Sequence, residues 1–281
     1  MSSRKPVNAT RRQPRSAHKA KLGQNFLRDA NAARHVVEAL GDVSDSIVLE
    51  IGPGRGALTS LLAARAKQLI AVELDQALAA RLQLEFAERD NVEVRRGNIL
   101  DISLPELAGA SATPLKVVGN IPYYITSDIL LHLFEQHQHI DLIVIMAQKE
   151  VADRLVAQPG TREYGLLTVT AKLFADVELL VTLPPEAFSP PPQVHSSVLR
   201  LRMAPKAGKL NLNAGHLLAF CKLAFAHKRK TLFNNLRQKY PESEIRIALA
   251  IQSIREDARA EALSIEELAS IHKALEGYER R

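Results

Sequence analysis

Ile47-Val48-Leu49-Glu50-Ile51-Gly52-Pro53-Gly54-Arg55-Gly56-Ala57-Leu58-Thr59 is the stretch on which the fold turns. A short, mostly branched apolar run suits a strand buried on both faces, and the glycines after it read as a loop entering a helix. Without Cβ atoms, such a loop lets a ligand approach backbone N–H groups. Similar apolar runs recur at Leu69–Leu74, Val92–Val94, Leu115–Val118 and Leu142–Met146, with helical patterns between them, including Leu78–Phe86 and Ser127–Phe134. That alternation predicts a parallel sheet flanked by helices. After a helix around Gly165–Phe174, the runs Val177–Val181 and Ser197–Leu201 are expected to finish the sheet as an antiparallel pair.

Beyond Pro205-Lys206-Ala207-Gly208 the pattern is helical only. Ser264 and Glu267 have capping-box spacing, Leu263 and Leu268 can staple the entry, and Leu268, Ile271 and Leu275 share one face. The expected organisation is a basic disordered tail over residues 1–18, a large α/β domain over 19–205 and a small all-helical domain over 206–281.

The 281 residues carry 37 Lys plus Arg against 31 Asp plus Glu, a net +6 that is unevenly placed. Residues 1–21 hold seven bases and residues 187–241 ten, with no acid in either stretch, so the remainder is acidic. A basic surface on an acidic body is the footprint of a polyanion binder. One cysteine, Cys221, excludes an internal disulfide and a multi-cysteine metal site. No apolar run is long enough to span a bilayer, and no signal-peptide core opens the chain, so a reducing cytoplasm is expected. No metal is expected either: His132, His137 and His139 near Asp141 read as residues on and after an amphipathic helix, and Cys221 as packing.

The third glycine of Gly52-Pro53-Gly54-Arg55-Gly56 falls one place too early for a dinucleotide fingerprint, and Glu50 is poorly placed beside a pyrophosphate. Both features suit a phosphate-free ligand with a cationic amino-acid end, which favours S-adenosyl-L-methionine over NAD. Glu73, 21 residues beyond Gly52 at the end of the next strand, can accept from ribose hydroxyls. Leu115–Gly119 then runs into Asn120-Ile121-Pro122-Tyr123-Tyr124, which places Asn120 and Tyr123 beside the glycine loop. An adenine amine is a poor nucleophile because its lone pair is delocalised. The Asn120 amide oxygen and a backbone carbonyl, that of Pro122 or alternatively Ile121, could accept its N–H bonds and aim the lone pair at a methyl carbon. Tyr123 could hold a flipped-out base by stacking.

These motifs, with Leu22-Gly23-Gln24-Asn25-Phe26-Leu27, Val72-Glu73-Leu74-Asp75, Gln148-Lys149-Glu150-Val151, Tyr164-Gly165, Phe188-Ser189-Pro190-Pro191-Pro192 and Lys228-Arg229-Lys230-Thr231-Leu232, resemble the ribosomal RNA adenine N6,N6-dimethyltransferases over nearly the whole chain. Within that family the bacterial small-subunit type is the nearer match. The resemblance implies a Rossmann-like S-adenosyl-L-methionine-dependent methyltransferase domain with a small C-terminal helical domain. The expected activity is dimethylation of two adjacent adenines near the 3′ end of 16S rRNA in an immature 30S subunit, by a monomer. It assigns cofactor contacts to Asn25, Leu27, Gly52, Gly54, Glu73, Asn98 and Asn120, and has Tyr123 and Phe188 sandwich the target base. Lys222, Lys228, Arg229 and Lys230 are the expected RNA contacts, with Asn234 and Asn235 as polar additions. Asn98 stands where the family usually has Asp, which implies a weaker grip on the cofactor adenine; Gln193 and His195 replace a usual Lys and Asp, which puts the anchoring of the Phe188 loop in question. Three alternatives compete with this reading: an antibiotic-resistance methyltransferase of 23S rRNA, a non-catalytic ribosome assembly factor, and an NAD-dependent oxidoreductase.

Overall fold

The computed structural model describes residues 24–108, 114–206, 208, 210 and 212–279, so the basic tail lies outside the described residues. Strands are β1 (Phe26–Leu27), β2 (Ile47–Ile51), β3 (Gln68–Glu73), β4 (Val92–Arg96), β5 (Leu115–Asn120), β6 (Ile140–Gln148), β7 (Ala175–Leu183), β8 (Phe188–Ser189) and β9 (Ser196–Met203). Between them run α1 (Ala30–Glu38), α2 (Thr59–Ala63), α3 (Gln76–Glu85), α4 (Leu104–Ala108), α5 (Thr126–Glu135), α6 (Lys149–Val156) and α7 (Leu166–Phe174). The chain closes with α8 (Ala214–Ala224), α9 (Leu232–Leu236), α10 (Glu242–Ile251) and α11 (Ile265–Leu275).

Seven strands form one sheet in the order β4-β3-β2-β5-β6-β9-β7. β4, β3, β2, β5 and β6 are mutually parallel, while β9 runs antiparallel to both β6 and β7. The expected antiparallel finish is therefore present. From β2 the chain winds outward through β3 and β4, then returns to β5 on the other side. The carboxyl ends of β2 and β5 thus diverge at a switch point, where open α/β sheets bind ligands.

Alternation along each strand explains the core. Val48, Leu69, Val118 and Val144 belong to one buried cluster, and their chain neighbours Leu49, Ile70, Val117 and Ile143 to the other, so the sheet buries both faces. The first face is covered through Val36, Leu62 and Leu82 of α1, α2 and α3. The second is covered through Leu130 and Val169 of α5 and α7, and its cluster continues into Leu217, Leu232, Ile245 and Ile271 of the C-terminal helices. Asp29 and Asp75 cap α1 and α3. At α11 the Ser264–Glu267 capping box forms as its spacing suggests.

β1 and β8 make a separate two-stranded ribbon, with Phe26 opposite Ser189 and Leu27 opposite Phe188. Ala187 O accepts from the N–H groups of Arg28 and Asp29, and Arg28 Nε donates to Glu186 O. This ribbon ties the N-terminal segment to the loop before β9.

Candidate active site

The main cleft opens at the switch point. Gln24, Asn25 and Phe26 line it with Gly52 and Gly54, Glu73 and Leu74, Asn98, and the run Asn120–Ile125. Gly52 and Gly54 take φ of +65° and +58°, a region that residues with a Cβ rarely enter. A Cβ on Gly54 would stand 2.8 Å from the Phe26 ring, so the missing side chain admits Phe26. The Arg55 guanidinium lies 4.6 Å from the centre of that ring.

Glu73 is buried, and its carboxylate is held by backbone: Gly54 N–H donates to Oε2 at 2.9 Å and Asp75 N–H to Oε1 at 2.8 Å. Each oxygen retains acceptor capacity toward the cleft. Asn98 Oδ1 accepts from Leu100 N–H at 3.2 Å, capping the 3₁₀ turn Ile99–Asp101. Any ligand amine must share that same oxygen, a physical reason for the weaker grip expected of Asn here. Leu27 is buried beside the glycine loop rather than in the main cleft.

Asn120 ends β5, and its Nδ2 donates to Asn25 O at 2.7 Å. The bond uses one N–H of the amide and fixes which end of it is Nδ2, with Oδ1 remaining as an acceptor. Tyr123 is half-buried, with its hydroxyl 2.6 Å from Ser196 Oγ. Burial raises its phenol above the ordinary range and the Ser196 bond partly offsets this, so the ring stays neutral at physiological pH. Ser196 was not singled out in the sequence: a serine at a strand start carries no signal until β9 is known to lie beside β6.

The carbonyl of Pro122 and the ring of Phe188 are both engaged elsewhere in the ligand-free protein. Pro122 O already accepts from Ile125 N–H at 3.2 Å and from Thr126 Oγ at 3.1 Å. A carbonyl has two lone pairs, so Pro122 is occupied by its own 3₁₀ turn and the Ile121 carbonyl is the backbone acceptor left. Phe188 is not among the residues that line the cleft. Its ring is 1% exposed in the cluster containing Leu27, Ala187 and Val198, because β8 pairs it opposite Leu27. The exposed aromatic at the cleft is Tyr124, at 63%. The loop from Phe188 to β9 is anchored through backbone, His195 O accepting from Lys149 N–H.

The family model for ribosomal RNA adenine dimethylase matches residues 15–276. The chain belongs to the ribosomal RNA adenine dimethylase family. A relative from Koribacter versatilis, named ribosomal RNA small subunit methyltransferase A, is 50% identical over 96% of this chain and 99% of its own. Among solved structures, a dimethyladenosine transferase from Plasmodium falciparum has the same fold, with a TM-score of 0.76 and 23% identity over 90% of this chain and 99% of that one. The 23S rRNA methyltransferase ErmE superposes with a TM-score of 0.66 at 28% identity, over 89% of this chain and 99% of that one.

The basic candidates of the dimethylase lie at its helical end. Lys222 is exposed and 3.4 Å from Glu135. Lys228, Arg229 and Lys230 are exposed on the turn between α8 and α9, where Lys228 Nζ donates to Arg162 O. Asn235 is 1% exposed and holds that turn from inside, its Nδ2 donating to Ala224 O at 2.7 Å and His227 O at 3.3 Å. It is a loop staple rather than an RNA contact. Asn234 turns back on Thr231 Oγ1.

Proposed function

We propose that this chain transfers methyl groups from S-adenosyl-L-methionine to N6 of two adjacent adenines near the 3′ end of 16S rRNA. We infer that it works as a monomer, in the cytoplasm, on an immature 30S subunit. Full-length identity of 50% to a small-subunit methyltransferase, against 28% to the 23S enzyme, favours the small-subunit target. Among the described residues, no helix is long and apolar enough to cross a membrane.

The observation that carries the chemistry is the Asn120–Asn25 hydrogen bond. It locks the amide so that Oδ1 accepts from the adenine amine, with the Ile121 carbonyl taking the other N–H. Localising the nitrogen lone pair in this way is the transition-state contribution of the site. Bound S-adenosyl-L-methionine supplies the electrophilic methyl carbon. The backbone-held Glu73 and the glycine loop suit its ribose and amino-acid parts, a polar cradle closed on one side by Phe26. Tyr123, fixed by Ser196, holds the base. Lys228, Arg229 and Lys230 meet RNA phosphates.

Replacing Asn120 by Ala should cost at least a hundredfold in methyl transfer, a typical loss for one transition-state hydrogen-bonding group. RNA affinity should stay near wild type. Mass spectrometry of dimethyladenosine in 30S particles, with 23S precursor RNA as the comparison substrate, reads transfer and target preference, and an equilibrium binding titration reads the affinity. Wild-type transfer by the variant, or preference for 23S RNA, overturns the reading.

A further inference from the structure

Glu50 is an acid that the reaction above leaves unused. It is 1% exposed on β2, flanked in register by Ala71 of β3 and Val118 of β5. It lines a small hollow with Gly52, Gly54 and Asn120, residues that also border the main cleft. Its Oε2 has no hydrogen-bond partner, and Thr59 Oγ1, its polar neighbour on α2, makes no bond of good geometry either. Glu73, in contrast, is satisfied by two backbone N–H groups.

An ionised carboxylate buried with an unpaired oxygen is costly unless a cation compensates it. The charged groups around Glu50 supply none. Glu73 on β3 is of like sign; Asn120 on β5 is neutral; Arg55, at the rim of the hollow, stacks on Phe26. In the ligand-free protein, burial pushes the carboxyl up to about 8, Thr59 partly offsets it and Glu73 adds to it. At neutral pH Glu50 therefore carries its proton.

We propose that Glu50 is a proton-releasing counter-charge, neutral in the ligand-free protein and ionised when a cationic group of the methyl donor enters beside the glycine loop. The carboxyl O–H bond breaks, the proton passes to solvent, and the carboxylate faces the incoming cation. This rests on the assignment of S-adenosyl-L-methionine to the cleft. Because ionisation accompanies binding, donor affinity rises with pH below the free-protein pKa and levels off above it.

The test is calorimetric titration of wild-type protein in buffers of different ionisation enthalpy, near pH 6.5, where an α-amino group of ordinary pKa about 8 stays protonated free or bound. About one proton should leave per donor bound, and the dissociation constant should tighten about tenfold per pH unit up to neutrality. E50Q should bind with almost no proton release and a flat pH profile. S-adenosyl-L-homocysteine keeps the ammonium but lacks the sulfonium: release with both ligands assigns the ammonium as the cation, and release with the donor alone assigns the sulfonium. Wild-type binding without proton release, or release retained by E50Q, overturns the proposal. Absence of any donor binding by wild type overturns the cofactor assignment beneath it. If E50Q does not fold, the wild-type proton count decides alone.

Discussion

Tyr123 owes its position to Ser196, and the 2.6 Å bond between them can be tested from both ends. S196A and Y123F each remove one neutral hydrogen bond, about 1 kcal/mol, so each should lower kcat/KM about fivefold. The double variant should be little worse than either single one, because both delete the same contact. Phe188 gives the opposite signature. As a core ring, its replacement by Ala should cost about 3–5 kcal/mol in urea unfolding. A stability change near zero with a raised KM for RNA would show that the ring serves the substrate instead. Asn120 was legible in the sequence because a polar residue ends an apolar run beside a glycine loop. The occupied state of Pro122 O was not, since it depends on how Ile125 and Thr126 fold back. Asn235 is expected at the RNA only because it follows the Lys228–Lys230 run in the chain; its burial depends on how α9 packs under that turn.

At the scale of elements, the glycine loop and the β1–β8 ribbon act together. G54A places a Cβ against Phe26 and strains a backbone at φ +58°, so donor affinity should fall at least tenfold, read by calorimetry. G41A is the control: its φ is also positive, at +70°, but nothing lies near the added Cβ, so donor affinity should not change. The long strands announced themselves by apolar runs: β2 spans Ile47–Ile51, the limits its sequence suggests. β6 and β7 extend further than their runs, because their ends continue pairing with β9 through polar residues such as Gln148 and Thr182. β1 and β8 could not be read at all. Two-residue strands have no periodicity, and their partners lie more than 150 positions apart.

Over the whole molecule, charge segregation is the feature that length and net charge hide. Converting Lys228, Arg229 and Lys230 together to Ala should weaken RNA binding and reduce the slope of log affinity against log salt by about 2.1–2.7, at about 0.7–0.9 per lost phosphate contact. An unchanged slope would place the RNA elsewhere. The exposed turn that carries these bases is shaped from within by Asn235, so its geometry belongs to the fold even though its charge belongs to the surface.

The ribbon has a mechanical corollary. Asn25 is gripped by Asn120 at the cleft, while its neighbours Phe26 to Asp29 are laced to residues 186–189. Peeling back residues 24–27 would break the grip on the Asn120 amide and the pairing to the loop before β9 in one movement, so the two share a single latch.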